Sequence, residues 1–179
     1  MKNDLEKGFT LLELIVSIGL FLIAVTIGLG AVASLYNANN KSQSLSSIVN
    51  NLNYSIEGMA RVMRFSNVYH CGSSGTLTAP QSCAAGDTSV AVTTAASSII
   101  YRFVGSRIES STDSGASYRP VTGSDVTIQN ARFYVFNTTP GDNRQPYVLM
   151  VIKGYSGVKP SAQTSFDIET LVSQRTLDI

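Results

Sequence analysis

From Leu14 to Asn40 the chain runs for 27 residues without a charged side chain, and this stretch limits the fold more than any other feature. A helix needs about 20 apolar residues to cross the hydrocarbon core of a bilayer, so the run is long enough to span one. The rest of the chain reads as an ordinary polar domain. Of 179 residues, 44% are hydrophobic and only 14% charged, which leaves room for one domain plus an extension. Thirteen Lys and Arg stand against 12 Asp and Glu with no basic block. That balance removes the electrostatic reason to expect nucleic acid or a strongly acidic partner.

The residues before the run make a poor secretory signal. The polar leader, Met1-Lys2-Asn3-Asp4-Leu5-Glu6-Lys7-Gly8, is eight residues long, and no small-x-small cleavage site follows the apolar stretch. A cut between Gly8 and Phe9 leaves the hydrophobic segment as the mature N-terminus, so the anchor is retained. Lys2, Lys7 and the initial amine flank one end of the run and only Lys41 lies close beyond the other, which directs the N-terminus to the cytoplasm. Glu13 is an anomaly here. A lone acid beside an apolar membrane helix carries a desolvation cost on the order of a few kcal/mol, and it needs a partner or a place at the headgroup level.

Lys7-Gly8-Phe9-Thr10-Leu11-Leu12-Glu13-Leu14-Ile15 resembles the cleavage and methylation segment of type IV prepilins and type II secretion pseudopilins. The resemblance implies cleavage after Gly8 by a prepilin peptidase, which methylates the new amino group of Phe9. It also implies that Glu13, fifth from the cut, pairs with the charged amino terminus of a neighbouring subunit and so sets axial register. The implied partners are that peptidase, other pilin or pseudopilin subunits in a helical filament, an inner-membrane assembly platform, and the membrane itself before assembly. The implied location is a single-pass inner membrane protein that passes into an extracytoplasmic filament, in the periplasm or at the cell surface. No cofactor is implied.

Beyond the run, Leu45, Val49, Leu52, Ile56, Met59 and Met63 recur at helical steps with polar residues between them, which predicts an amphipathic continuation over 41–66. No proline interrupts residues 9 to 64. One helix over that span is about 84 Å long, its first half (9–40) a transmembrane or filament-core segment and its second half covering a sheet, the lollipop outline of a pilin. Gly19, Gly28 and Gly30 permit either a bend or the close approach of another helix.

Residues 67–179 read as an exported β-rich domain. Short runs at Ser89–Thr94, Ile99–Ile108, Val126–Asn137, Tyr147–Gly154 and Ser165–Arg175 lie between turn-forming residues. Their alternation predicts an antiparallel sheet packed on the helical stripe, hence an α+β fold with the helix first. The segment Phe166–Arg175 also resembles the closing strand of minor pilins and larger minor pseudopilins, which favours a minor subunit.

Cys71 and Cys83 lie in a Gly-, Ser- and Ala-rich stretch. They suit either a small disulfide-closed loop in an extracytoplasmic domain or two unpaired thiols. The sole histidine, His70, reads as a surface loop residue. No phosphate loop, metal-ligand cluster or nucleophile with a base is recognisable, so an enzyme is not expected. Pro140-Gly141-Asp142-Asn143 reads as a turn, with calcium ligation by Asp142 and Asn143 the lesser alternative. Arg61 and Arg64 either complement the negative end of the helix dipole or form a small basic patch. Two functions follow: a structural filament subunit, or a filament-tip module contacting a surface, DNA or a secretion substrate.

Overall fold

The computed structural model describes residues 9–157 and 163–175, and it comprises two compact units, residues 1–40 and 41–179. The helix α1 (Leu11–Arg64) supplies the described secondary structure of the first unit and opens the second. Within the first unit, no described side chain is buried. Leu, Ile, Val and Ala carry the helix through Gly19, Gly28 and Gly30 without a break.

The second unit packs residues of α1 against two antiparallel sheets. One has the order β1 (Val68–Cys71), β3 (Ser89–Thr93), β4 (Ser98–Val104), β5 (Arg107–Ser111), β6 (Arg119–Pro120). The other runs β2 (Cys83–Asp87), β7 (Val126–Phe136), β8 (Tyr147–Ser156), β9 (Thr164–Ser173). The fold class is α+β, as the residue pattern predicts, but with two sheets where one was expected. The reason is local: the run Ile99–Ile108 is broken by a turn at Gly105, whose φ is +64°, so β4 folds back on β5. That hairpin, extended by β1 and β3, builds a sheet of its own.

The core joins Leu52, Met59 and Met63 of the helix to Tyr69, Val92, Ile108, Phe133 and Met150 among others. A bulge between Ile128 and Asn130 changes the parity of β7. Val126 and Ile128 point inward before it, and Ala131, Phe133 and Val135 after it, because one extra residue turns every later side chain over. Opposite this bulge, Gly154 is required. A Cβ there would lie 2.3 Å from the Thr127 carbonyl oxygen and 2.8 Å from the Phe166 ring.

The buried helical stripe differs from the expected one. Ile48, Leu52, Ser55, Met59 and Met63 are buried, whereas Leu45 and Val49 remain 51% and 47% exposed. Polar anchors rotate the face: Ser55 Oγ donates to the Val121 carbonyl at 2.9 Å, Asn51 Nδ2 donates to Asp125 at 2.7 Å, and Ser47 also bonds Asp125. Hydrogen bonds to the 121–125 turn thus override the apolar periodicity at the start of this stretch.

Candidate functional site

The N-terminal segment carries the densest chemistry in the first unit. Phe9 is 80% exposed, and α1 begins at Leu11. Thr10 and Glu13 form a reciprocal cap. The Glu13 N–H donates to Thr10 Oγ1 at 3.2 Å, while Glu13 Oε2 accepts from the Thr10 N–H at 3.3 Å and from Thr10 Oγ1 at 3.2 Å. Thr-x-x-Glu is the capping-box sequence, and it satisfies donors that a helix start leaves open. The residues Thr10-Leu11-Leu12-Glu13 carry the motif in sequence, so this cap is a local feature independent of the charge of Glu13. A carboxylate in the first turn also faces the positive end of the helix dipole.

Two other hydroxyls of this stretch, those of Ser17 and Thr26, are satisfied inside the helix. Ser17 Oγ donates to the Glu13 carbonyl at 2.7 Å, and Thr26 Oγ1 to the Leu22 carbonyl at 2.5 Å. Such back-bonding leaves these hydroxyls without need of an outside partner, which suits an apolar surrounding. Glu13 differs from them. Its Oε1 has no hydrogen-bond donor among the described residues, so one oxygen stays available. Around it Leu11, Leu12, Leu14 and Ile15 are 53–78% exposed. Each such side chain forgoes about 1.5–3 kcal/mol that burial would supply. The helix is long and apolar enough to cross a membrane, with none of its most apolar window buried. Gly8 and the remainder of the leader, with Lys2 and Lys7, lie outside the described residues.

In the second unit, Cys71 and Cys83 are joined by a disulfide with Cα atoms 5.9 Å apart. Because β1 belongs to one sheet and β2 to the other, the bond staples the two sheets along their edges. His70 is a correction: it lies in β1 and is 3% exposed. Its Nδ1 and Nε2 lie 2.8 and 2.9 Å from the carbonyl oxygens of Ala79 and Ser74. Both carbonyls belong to the disulfide-closed loop, which folds over the ring and removes it from the surface. The histidine is a strut for that loop.

The end of α1 is closed by side chains and by the segment that follows β9. Tyr69 Oη donates to the Met63 carbonyl at 3.0 Å, and the Arg175 N–H donates to the Arg64 carbonyl at 2.8 Å. Burial raises the Tyr69 phenol above its ordinary value, with Arg64 pulling the other way. Pro140 and Gly141 form the tip of a turn, in which Asp142 Oδ1 accepts from the Arg144 N–H at 2.8 Å. Among the described residues, no three His, Cys, Asp or Glu side chains come together as a metal site.

Residues 4–29 match the prokaryotic N-terminal methylation motif, the signature of type IV pilins and pseudopilins. The match takes in Phe9, the Thr10–Glu13 cap and half of the apolar run. It makes the chain type IV pilin- or pseudopilin-like in this region. No curated protein and no solved structure matches it.

Proposed function

We propose that this chain is a structural subunit of a type IV pilus or pilus-like filament, a minor pilin or pseudopilin, cut after Gly8, methylated on Phe9 and assembled through its N-terminal helix. The observation that carries the reading is the methylation motif set on the stretch 11–40 of α1, whose apolar residues are all uncovered. Before assembly, lipid covers those residues. Afterwards, helices of other subunits do, and Gly19, Gly28 and Gly30, where an added Cβ would meet nothing inside the chain, admit their close approach.

Glu13 then has two successive roles. In the free subunit it caps its own helix through Thr10. On docking, the oxygen that lacks a donor accepts the charged, methylated amine of a neighbour's Phe9, and the pairing sets axial register because a buried carboxylate left alone is costly. The chain is a building unit and performs no catalysis. The N-terminus faces the cytoplasm until extraction, and the domain beyond residue 40 lies on the oxidising side, in keeping with the disulfide.

Mass spectrometry of the N-terminus tests this, applied to sheared surface filaments and to the membrane fraction of the native cell. The expected species begins at N-methylated Phe9 in the filament fraction. A processed chain found only in membranes would assign it to a short pseudopilus or an initiating complex, and an uncut Met1 or Lys2 start would overturn the proposal.

A further inference from the structure

We infer that the edge of β9, together with Arg61, Arg64 and Arg175, is a docking groove for an extended acidic peptide segment of another protein, which adds to the sheet as a fifth strand. The inference concerns the second unit alone and does not rest on filament assembly.

Three observations place the site. First, β9 is a long edge on which no further strand pairs among the described residues. It pairs with β8 over ten residues without a register shift. By contrast, β2 at the opposite edge is short and irregular, and the edges of the other sheet, β1 and β6, have four and two residues. Proteins commonly blunt their edges with short strands, bulges or proline, and β9 has none of these.

Second, the direction of its free backbone groups follows from its neighbours. The Gln174 N–H bonds the Pro146 carbonyl at 3.2 Å and its carbonyl accepts from Gln145 at 2.8 Å, so Gln174 faces β8. The next N–H, that of Arg175, points the other way to the Arg64 carbonyl. Alternation along a strand therefore aims the N–H and C=O groups of Leu171 and Ser173 away from β8. On that side lies a groove of about 950 Å³ between β9 and the helix residues Ile56, Ala60 and Arg64.

Third, the charge at one end of the groove is unbalanced. Arg61, Arg64 and Arg175 all line it. Arg61 has a 3.7 Å contact with Glu57, in which both side chains are more than 70% exposed, and Arg175 lies over the Phe65 ring at 5.5 Å. Exposed Phe65 and Leu171, each 58% accessible, supply apolar contact. An extended peptide with carboxylates at the arginine end meets all three features: backbone pairing with β9, side-chain contact with Leu171, and charge-assisted bonds to guanidinium groups. Nucleic acid meets only the last, since phosphates do not complement alternating N–H and C=O groups.

The test uses the full chain in detergent micelles and a labelled synthetic peptide of alternating valine and threonine ending in two glutamates, read by fluorescence anisotropy. Saturable binding is expected. Methylating alternate peptide amides, replacing the glutamates by lysine, or introducing Arg61→Glu with Arg64→Glu should each weaken it by about tenfold or more. Both arginines are exposed, and an intact disulfide with unchanged protease resistance checks the variant's fold. No saturable binding of the glutamate peptide overturns the inference, as does equal binding of the amide-methylated peptide. Equal binding of a thymidine oligonucleotide of similar length would also overturn it, reducing the site to a plain anion patch.

Discussion

The two stretches of α1 obey the same backbone geometry and opposite rules of burial. Over 11–40 every described side chain is exposed except the partly covered Asn40, although most are apolar. Over 41–64 the composition is more polar, yet Ile48, Leu52, Met59 and Met63 are buried to 3% exposure or less. In one stretch the apolar residues are a surface reserved for something outside the chain. In the other they are the inside of a folded domain. Hydrophobicity alone therefore says little about where a residue belongs until the rest of the chain is known to reach it.

The largest effect separating the two concerns assembly. On the proposed pairing, Glu13→Ala should reduce incorporation into filaments by more than an order of magnitude, since docking would leave the amine of a neighbour without its carboxylate. The disulfide and the protease resistance of the domain should stay unchanged. Quantitative immunoblotting of sheared filaments against total membranes measures the ratio, and wild-type incorporation would remove Glu13 from the mechanism. Next comes packing. Leu52→Ala should destabilise the domain by about 2–5 kcal/mol, and Leu20→Ala by no more than about 0.5 kcal/mol, both read by denaturant unfolding in micelles. Equal losses would break the comparison outright.

Removing the covalent staple ranks third. Cys71→Ser with Cys83→Ser should cost about 2–4 kcal/mol, and reduction of the wild type with a phosphine should give a similar loss. The smallest effect lies in the titration of the interior. Burial pushes the Tyr101 phenol up from 10.0 to about 12. The unfolded phenol ionises first, so stability is full below pH 10 and declines between about pH 10 and 12, by at most about 1.4 kcal/mol per pH unit. Tyr101→Phe should flatten that decline, followed by phenolate absorbance alongside unfolding.

The features legible in the residues were those set by local chemistry. The charge-free run, the amphipathic continuation and the long strands β7, β8 and β9 are all patterns that neighbours in sequence define. What escaped depended on contacts distant in the chain. Leu45 and Val49 fit the helical period and still face outward, because Ser47 and Asn51 reach Asp125 on a turn more than 70 residues away. His70 looks like a loop residue until the loop from Gly72 to Ser82 closes over its ring. The strands β1 and β2 are short, and their Gly, Ser and Ala neighbours carry no alternation to reveal them. Arg61 and Arg64 were legible as a possible basic patch, but Arg175 was not part of it, since it meets them only after β9 has returned to the helix. The capping box is different in kind: Thr10 and Glu13 are three residues apart, so the pattern is local, and the same glutamate also carries the unusual charge beside the apolar run.

The bond between Cys71 and Cys83 also has a mechanical meaning. In the proposed filament each subunit would be a link under tension, and the length it can yield before parting depends on how much chain can be drawn out. Eleven residues lie between the two cysteines, twelve Cα–Cα steps in all. Fully extended they would span about 40 Å, against 5.9 Å between the bonded Cα atoms, so the oxidised link withholds roughly 35 Å of slack. The same bond passes load from the edge of one sheet to the edge of the other, so neither can be peeled away singly. An oxidised subunit is thus the shorter and stiffer link, and a reduced one lengthens before it fails.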